Sequence, residues 1–164
     1  AASIARGVDV ADLAASGAAM SDWMRAELGA EAPAFVDHSG LGDASRVSPH
    51  DMVKMLVRTG PSGSLRGHMK TVVAKDDEGQ LDPEARHTIE AKTGTLNFVS
   101  TLSGYVTAPD GNTLAFAIFT SDMERRNALT KAERERPPGG RGWAGRSRWL
   151  QHQFLNRWMT VYGA

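Results

Sequence analysis

The alternation of hydrophobic and polar positions divides the chain into a helical beginning, a strand-rich middle and a helical end. In residues 1 to 29, Val10, Leu13, Met20, Trp23, Met24 and Leu28 recur at roughly helical spacing among alanines. Gly7 and Gly17 interrupt the stretch, which predicts two short helices, the second starting near Ser21 and Asp22 and stopping at Gly29. Phe35 and Val36 form a short apolar run leading into Gly, Ser and Asp, as a strand entering a structured loop would. "SPHDMVKMLVRTG", residues 48–60, is the clearest helix. Ser48 is its N-cap, Pro49 its first helical position and Asp51 a shorter relative of the capping-box glutamate. Met52, Val53, Leu56 and Val57 make its apolar face, and Gly60 closes it.

Residues 61–86 are rich in Gly, Asp and Glu, with an apolar island at Met69, Val72 and Val73, and predict no regular element. Three strand patterns follow: "RHTIEAKTG", "TLNFVSTLSGYVT" and "NTLAFAIFT". The Pro109-Asp110-Gly111 turn joins the second and third as an antiparallel hairpin. The third strand sets Leu114, Phe116 and Ile118 on one side and Ala115, Ala117 and Phe119 on the other. Two apolar faces imply a sheet covered on both sides, with the final helix expected against the small alanines. Residues 121–142 are charged and rich in Pro and Gly, and predict a long surface loop. From 144 to 161, Trp149, Leu150, Phe154, Leu155, Trp158, Met159 and Tyr162 fall on one helical stripe, with His152 on the polar side. The predicted class is α+β, an antiparallel sheet flanked by helices.

Composition narrows the function classes. Nineteen basic and nineteen acidic residues cancel, so bulk charge points to neither nucleic acid nor membrane. No apolar run approaches the roughly 20 residues that span a bilayer. Without cysteine there is no disulfide or thiol chemistry. The five histidines show neither i, i+4 pairing nor H-E-x-x-H, so no metal or other cofactor is expected. The chain opens without methionine or a signal-like segment, on what resembles the middle of a helical region. The expectation is the C-terminal part of something longer.

The candidate chemistry lies in Lys92-Thr93-Gly94. Lysine supplies a point charge, threonine a hydroxyl, and a strand edge supplies backbone N–H groups. A lysine at a strand edge also serves simply to block edge-to-edge pairing, so the triplet by itself does not decide. Its flanks do. "AKTGTLNFVSTLSGYVTAPDGNTLAFAIF" resembles the K-T-G strand and hairpin of penicillin-binding proteins, most closely the class C, low-molecular-mass D-alanyl-D-alanine carboxypeptidase/endopeptidase group. Ala91 to Leu96, Gly104-Tyr105, Asp110-Gly111 and Ala115-Phe116 carry the likeness. Upstream, "VDHSGLGDASRVSPHDMVKML" is similar to that family's D-G-S-G-L-S-R-x-N-R-V-S segment. Asp37, Ser39, Gly40, Leu41, Arg46, Val47 and Ser48 agree, and His38, Gly42 and Ser45 depart.

The resemblance implies the C-terminal portion of a transpeptidase-like domain shared with serine β-lactamases. It also implies an acyl-serine enzyme with S-x-x-K, S-x-N and K-T-G motifs. The implied substrates are D-Ala-D-Ala stem peptides of peptidoglycan, with β-lactams as acylating agents, in the periplasm or outside the cell. Lys92 would keep the site positive and assist proton transfer, the Thr93 hydroxyl would bind the terminal carboxylate, and Gly94 would leave room. The Thr95 N–H would form half an oxyanion hole. None of the twelve serines has lysine three positions on or asparagine two positions on. Ser39 follows Asp37-His38 but lacks a G-x-S-x-G elbow, and the resemblance treats its segment as scaffold. Residues 1–164 are thus expected to supply one catalytic wall, with the other two motifs N-terminal to residue 1 in the same protein. The chain alone would be inactive. The alternatives are a β-lactamase or esterase on the same scaffold, or a non-catalytic fragment that only binds a partner.

Overall fold

The computed structural model describes residues 12–40, 42–130 and 132–163. The helix expected around Val10, Leu41 of the upstream segment and Lys131 of the charged loop lie outside the described residues. The chain divides into two compact units, residues 1–58 and 59–164.

In the first unit, α1 (Leu13–Leu28) runs without a break through Ser21 and Asp22, where the second helix was expected to start. Asp12 caps it by accepting from the Ala15 N–H at 2.7 Å, and Gly29 ends it in the left-handed region at φ 58°. Gly17 was expected to break the stretch, yet it lies mid-helix and buried. A Cβ there would come within 2.6 Å of the Phe35 carbonyl oxygen and the Asp37 nitrogen, so close approach of a neighbouring backbone accounts for the glycine. Phe35 and Val36 do not form a strand; among the described residues the pairing here is an isolated bridge between Ala34 and Arg46. Next comes α2 (Pro49–Thr59), whose Ser48 hydroxyl accepts the Asp51 N–H at 3.0 Å as expected. The Asp51 carboxylate is buried and turns to the Glu31 N–H, 3.2 Å away. Burial pushes its pKa up, but the Glu31 N–H, the Ser48 hydroxyl, the Ala32 N–H and Lys54 outweigh that, and it lies below the ordinary carboxylate value.

The second unit is built on a four-stranded antiparallel sheet in the order β1-β2-β3-β4. Its strands are β1 (Lys70–Val72), β2 (Thr88–Leu96), β3 (Val99–Thr107) and β4 (Thr113–Ser121). A short 3-10 turn, Arg66–His68, leads into β1. The Asp110-Gly111 turn joins β3 to β4 as predicted, with Gly111 at φ 90°. The first hairpin differs from expectation. β2 runs on through Thr95 and Leu96, and the chain turns at Asn97-Phe98, where Phe98 takes φ 62°. After β4 come α3 (Met123–Asn127) and α4 (Gly140–Tyr162). The segment expected as a bare loop therefore contains a helical turn, capped by Asp122.

The core occupies one face of the sheet. Val72, Ile89, Ala91, Leu102, Val106, Phe116 and Ile118 gather there with Leu155, Trp158 and Met159 of α4. The final helix thus packs on the large residues of β4, not on Ala115 and Ala117. Phe116 and Trp158 meet with ring centroids 6.3 Å apart. The helix is also rotated from its apolar stripe. His152, expected outside, is buried beside Gln151, while Trp149, Leu150, Phe154 and Tyr162 are exposed. Gln151 earns its interior place by a bond from its amide to the Ser100 hydroxyl at 3.2 Å. On the opposite face, Arg66 bonds Glu90 and Thr107 and lies over the Tyr105 ring, whose hydroxyl donates to the Gly60 carbonyl.

Candidate active site

β1 is only three residues long, and its register with β2 stops at Lys70↔Ala91. Beyond that pair, Lys92 to Leu96 have strand partners only on the β3 side among the described residues. The K-T-G half of β2 is therefore an open edge, although the strand is internal by sheet order. An open edge presents outward N–H and C=O groups at alternate residues. Lys92, Thr93 and Thr95 are exposed and Gly94 is half-buried.

Strand alternation divides the four candidate residues. Lys92 and Gly94 share a face with Ser103 and Thr101, their cross-strand partners on β3. Thr93 and Thr95 point to the face that also carries Ala91 and Leu102. The Lys92 ammonium donates to the Thr93 carbonyl, which folds the charge back along the strand. A Cβ on Gly94 would stand 2.5 Å from the Thr101 hydroxyl oxygen, so any larger residue there would force the Thr101 side chain to turn away. Thr101 and Ser103 are half-buried hydroxyls beside the lysine that the motif alone did not point to. The period-two register of "VSTLSGY" against "AKTG" was the signal that could have found them. Only a ligand laid along the edge can reach both Lys92 on one face and Thr93 on the other.

The far end of this edge is tightly held. Phe98 is fully buried, with the Arg125 guanidinium 4.5 Å from its ring centroid and Trp143 edge-on at 6.0 Å. Arg126, itself buried, donates to the Asn97 carbonyl at 3.0 Å. The Asn97 amide donates to the Arg134 and Glu135 carbonyls. A groove of about 490 Å³ beside this turn is lined by Asn97, Arg136 and Arg141 among others, and a second of about 510 Å³ is lined mainly by acidic residues and α4. Lys92 to Thr95 line neither groove. What they offer is a wall, not a cavity.

The upstream segment in the first unit is a self-bonded loop. Asp37 accepts the Ser39 hydroxyl and N–H at 2.9 and 2.8 Å and the Gly40 N–H at 3.2 Å. Those Ser39 bonds, with lesser help from Gly40 and His38, hold its carboxyl below the ordinary value against the opposing effect of burial. His38 Nδ1 pairs with the Ser16 hydroxyl at 2.9 Å, while the Ser39 hydroxyl donates to Asp37. Among the described residues, no three His, Asp or Glu side chains are placed to hold a metal, and no helix is long and apolar enough to cross a membrane.

The family model for D-Ala-D-Ala carboxypeptidase 3 (S13) matches residues 10–136, which include both the loop at Asp37 and the K-T-G strand. Among solved structures, the chain is similar to a predatory endopeptidase from Bdellovibrio bacteriovorus in complex with an immunity protein. The identity is 25% and the TM-score 0.54, over 86% of this chain. The chain spans 37% of that endopeptidase. No curated protein matches it.

Proposed function

The chain belongs to the D-Ala-D-Ala carboxypeptidase 3 (S13) family, and from that premise we propose that it supplies the K-T-G wall of a serine-type D-Ala-D-Ala carboxypeptidase/endopeptidase. The protein would act on peptidoglycan stem peptides, in the periplasm or outside the cell, and would be acylated by β-lactams. The observation that carries this reading is the open edge of β2 from Lys92 to Leu96. An extended peptide can pair with such an edge by backbone hydrogen bonds while the side chains on either face read its ends.

In this reading Lys92 supplies positive charge beside the attacked carbonyl and assists proton transfer through the hydroxyl of the S-x-N serine. The Thr93 hydroxyl binds the terminal carboxylate, and the Thr95 N–H stabilises the oxyanion together with the N–H of the nucleophile. Gly94 keeps the strand free of a side chain where the substrate passes. The nucleophile and the S-x-N serine would lie N-terminal to residue 1, because no serine of this chain has either motif. The endopeptidase named for the structural neighbour supports peptide-bond hydrolysis as the reaction class.

The test is covalent labelling of the full-length protein by a fluorescent penicillin. Lys92→Ala should slow acylation by about 100-fold, the scale on which removal of a transition-state electrostatic partner acts, with an unchanged melting curve. Labelling at the parent rate would remove Lys92 from the site.

A further inference from the structure

Among the described residues the K-T-G edge has β3 on one side and no strand on the other, so its position depends on what fixes its end. That end is Asn97-Phe98. Phe98 is a bulky residue at φ 62°, a conformation that side chains other than glycine, asparagine and aspartate rarely adopt. Such a residue persists only where its surroundings over-determine it. Here they do. Arg125 lies over the Phe98 ring and donates to the Pro138 carbonyl at 2.9 Å, and the Asp122 N–H donates to the Phe98 carbonyl at 2.9 Å. Arg126, one residue along the same short helix, reaches the Asn97 carbonyl. The Asn97 side chain holds the backbone at 134 and 135. The contacts come from 122–126, from 134–138 and from Trp143, so three separate stretches converge on two residues.

We infer that Arg126, acting through Asn97 and the strained Phe98 turn, is a positioning residue that sets where the Thr95 N–H stands on the open edge. The inference rests on the proposed role of that edge. Arg126 touches no substrate. It is buried behind the turn, two residues beyond Thr95 in the direction of the chain. Releasing the Asn97 carbonyl lets the turn relax toward an unstrained φ, and that rotation is passed to Leu96 and Thr95, which no strand among the described residues restrains on the outer side. Misplacement of an oxyanion donor by a fraction of an ångström lowers the rate of bond formation more than it lowers ground-state binding.

The experiment measures acylation of the full-length protein by a fluorescent penicillin over a range of concentrations, which separates the first-order acylation rate from the apparent binding constant. Arg126→Gln should lower the first-order rate by about tenfold or more and change the binding constant far less. Arg126→Lys should recover most of the rate, since it can still donate to the Asn97 carbonyl. If Arg126→Gln does not fold, Asn97→Ala keeps the Arg126 bond to the backbone carbonyl but frees the same turn from the carbonyls at 134 and 135, and it should slow acylation in the same way. A lower labelled fraction at an unchanged rate would make Arg126 merely structural and overturn the inference. So would a parent-like rate in Arg126→Gln alongside a slowed Lys92→Ala. Lys92→Ala acylating like the parent would sink the reading of the edge itself, and the positioning role with it.

Discussion

Lys70 pairs with Ala91, and there β1 begins, so its pairing stops one residue short of Lys92. Had β1 begun four residues earlier, where the 3-10 turn Arg66–His68 and Met69 now stand, the whole K-T-G stretch would have been covered by a neighbouring strand. Hydrogen exchange on the 164-residue chain reports this directly. Amides of Ile89 to Ala91, paired on both sides, should be protected as part of the stable sheet. Outward-facing amides between Lys92 and Leu96 should exchange orders of magnitude faster. Equal protection along the whole of β2 would mean the edge is covered and would leave no wall for a ligand.

Thr93 stands on the opposite face from Lys92, so the two should fail in different ways. In the full-length protein, Thr93→Val keeps the strand shape and removes only the hydroxyl. Hydrolysis of a D-Ala-D-Ala peptide with a free terminal carboxylate should fall by about 10- to 100-fold, the loss expected for one hydrogen bond to a charged group. A peptide amidated at that terminus, already lacking the carboxylate, should lose little more. Equal losses for both peptides would deny Thr93 the role of carboxylate ligand.

No serine of this chain precedes a lysine by three positions. The 164-residue chain should therefore remain unlabelled by a fluorescent penicillin at concentrations that label the full-length protein. Stoichiometric, boil-resistant labelling of the short chain would identify a nucleophile within it, with Ser39 the first to substitute.

The sheet was legible where one residue type dominates each position. Strands β2 to β4 carry β-branched and aromatic residues between turn signals, and the Asp110-Gly111 turn fixed the second hairpin. β1 was not, because three residues with only Val72 packed inward make no periodic pattern. The first turn was missed because Phe98 resembles a strand residue by type, and its positive φ comes from Arg125, Arg126 and Trp143, more than 25 residues away. The rotation of α4 was missed for a related reason. Aromatic residues dominate a sequence-based stripe, whereas Gln151 enters the interior to meet Ser100 and leaves Phe154 outside, stacked on Trp158. For the site, adjacency in sequence brings Lys92 to Thr95 together. That they form an open edge depends on where β1 starts, and only the fold tells that.

Gly104 stands opposite Ala91 inside the sheet, and its glycine is required by space rather than by φ. A Cβ there would lie 2.6 Å from the Ala91 Cα and would also meet the Glu90 carbonyl oxygen. These are backbone atoms of β2 and cannot rotate away. Gly104→Ala should destabilise the chain by about 2–3 kcal/mol, at the upper part of the range for overpacking. The check is the urea midpoint at constant m-value. A loss below about 0.5 kcal/mol, the scale of an indifferent surface change, would mean the two strands lie farther apart than described.

His152 is buried on α4, and neither its Nδ1 nor the Nε2 of His87 has a hydrogen-bond partner. Burial lowers the pKa of His152 from the ordinary 6.5, and the charges of Lys75 and of protonated His87 lower it further. Burial also lowers that of His87, with Asp82 opposing. In the unfolded chain both titrate near the ordinary value, so below it the unfolded state binds more protons than the folded state. The stability held by keeping these rings neutral is complete above the unfolded pKa. It is lost progressively as pH falls from there through the folded values. The urea midpoint should accordingly drop between about pH 7 and pH 5. His152→Gln, polar but never charged, should flatten that part of the profile, and His87→Gln should flatten it less because Asp82 already favours its charged form. An unchanged slope in His152→Gln would show that the imidazole is hydrated in the folded chain and that other groups set the acid limb.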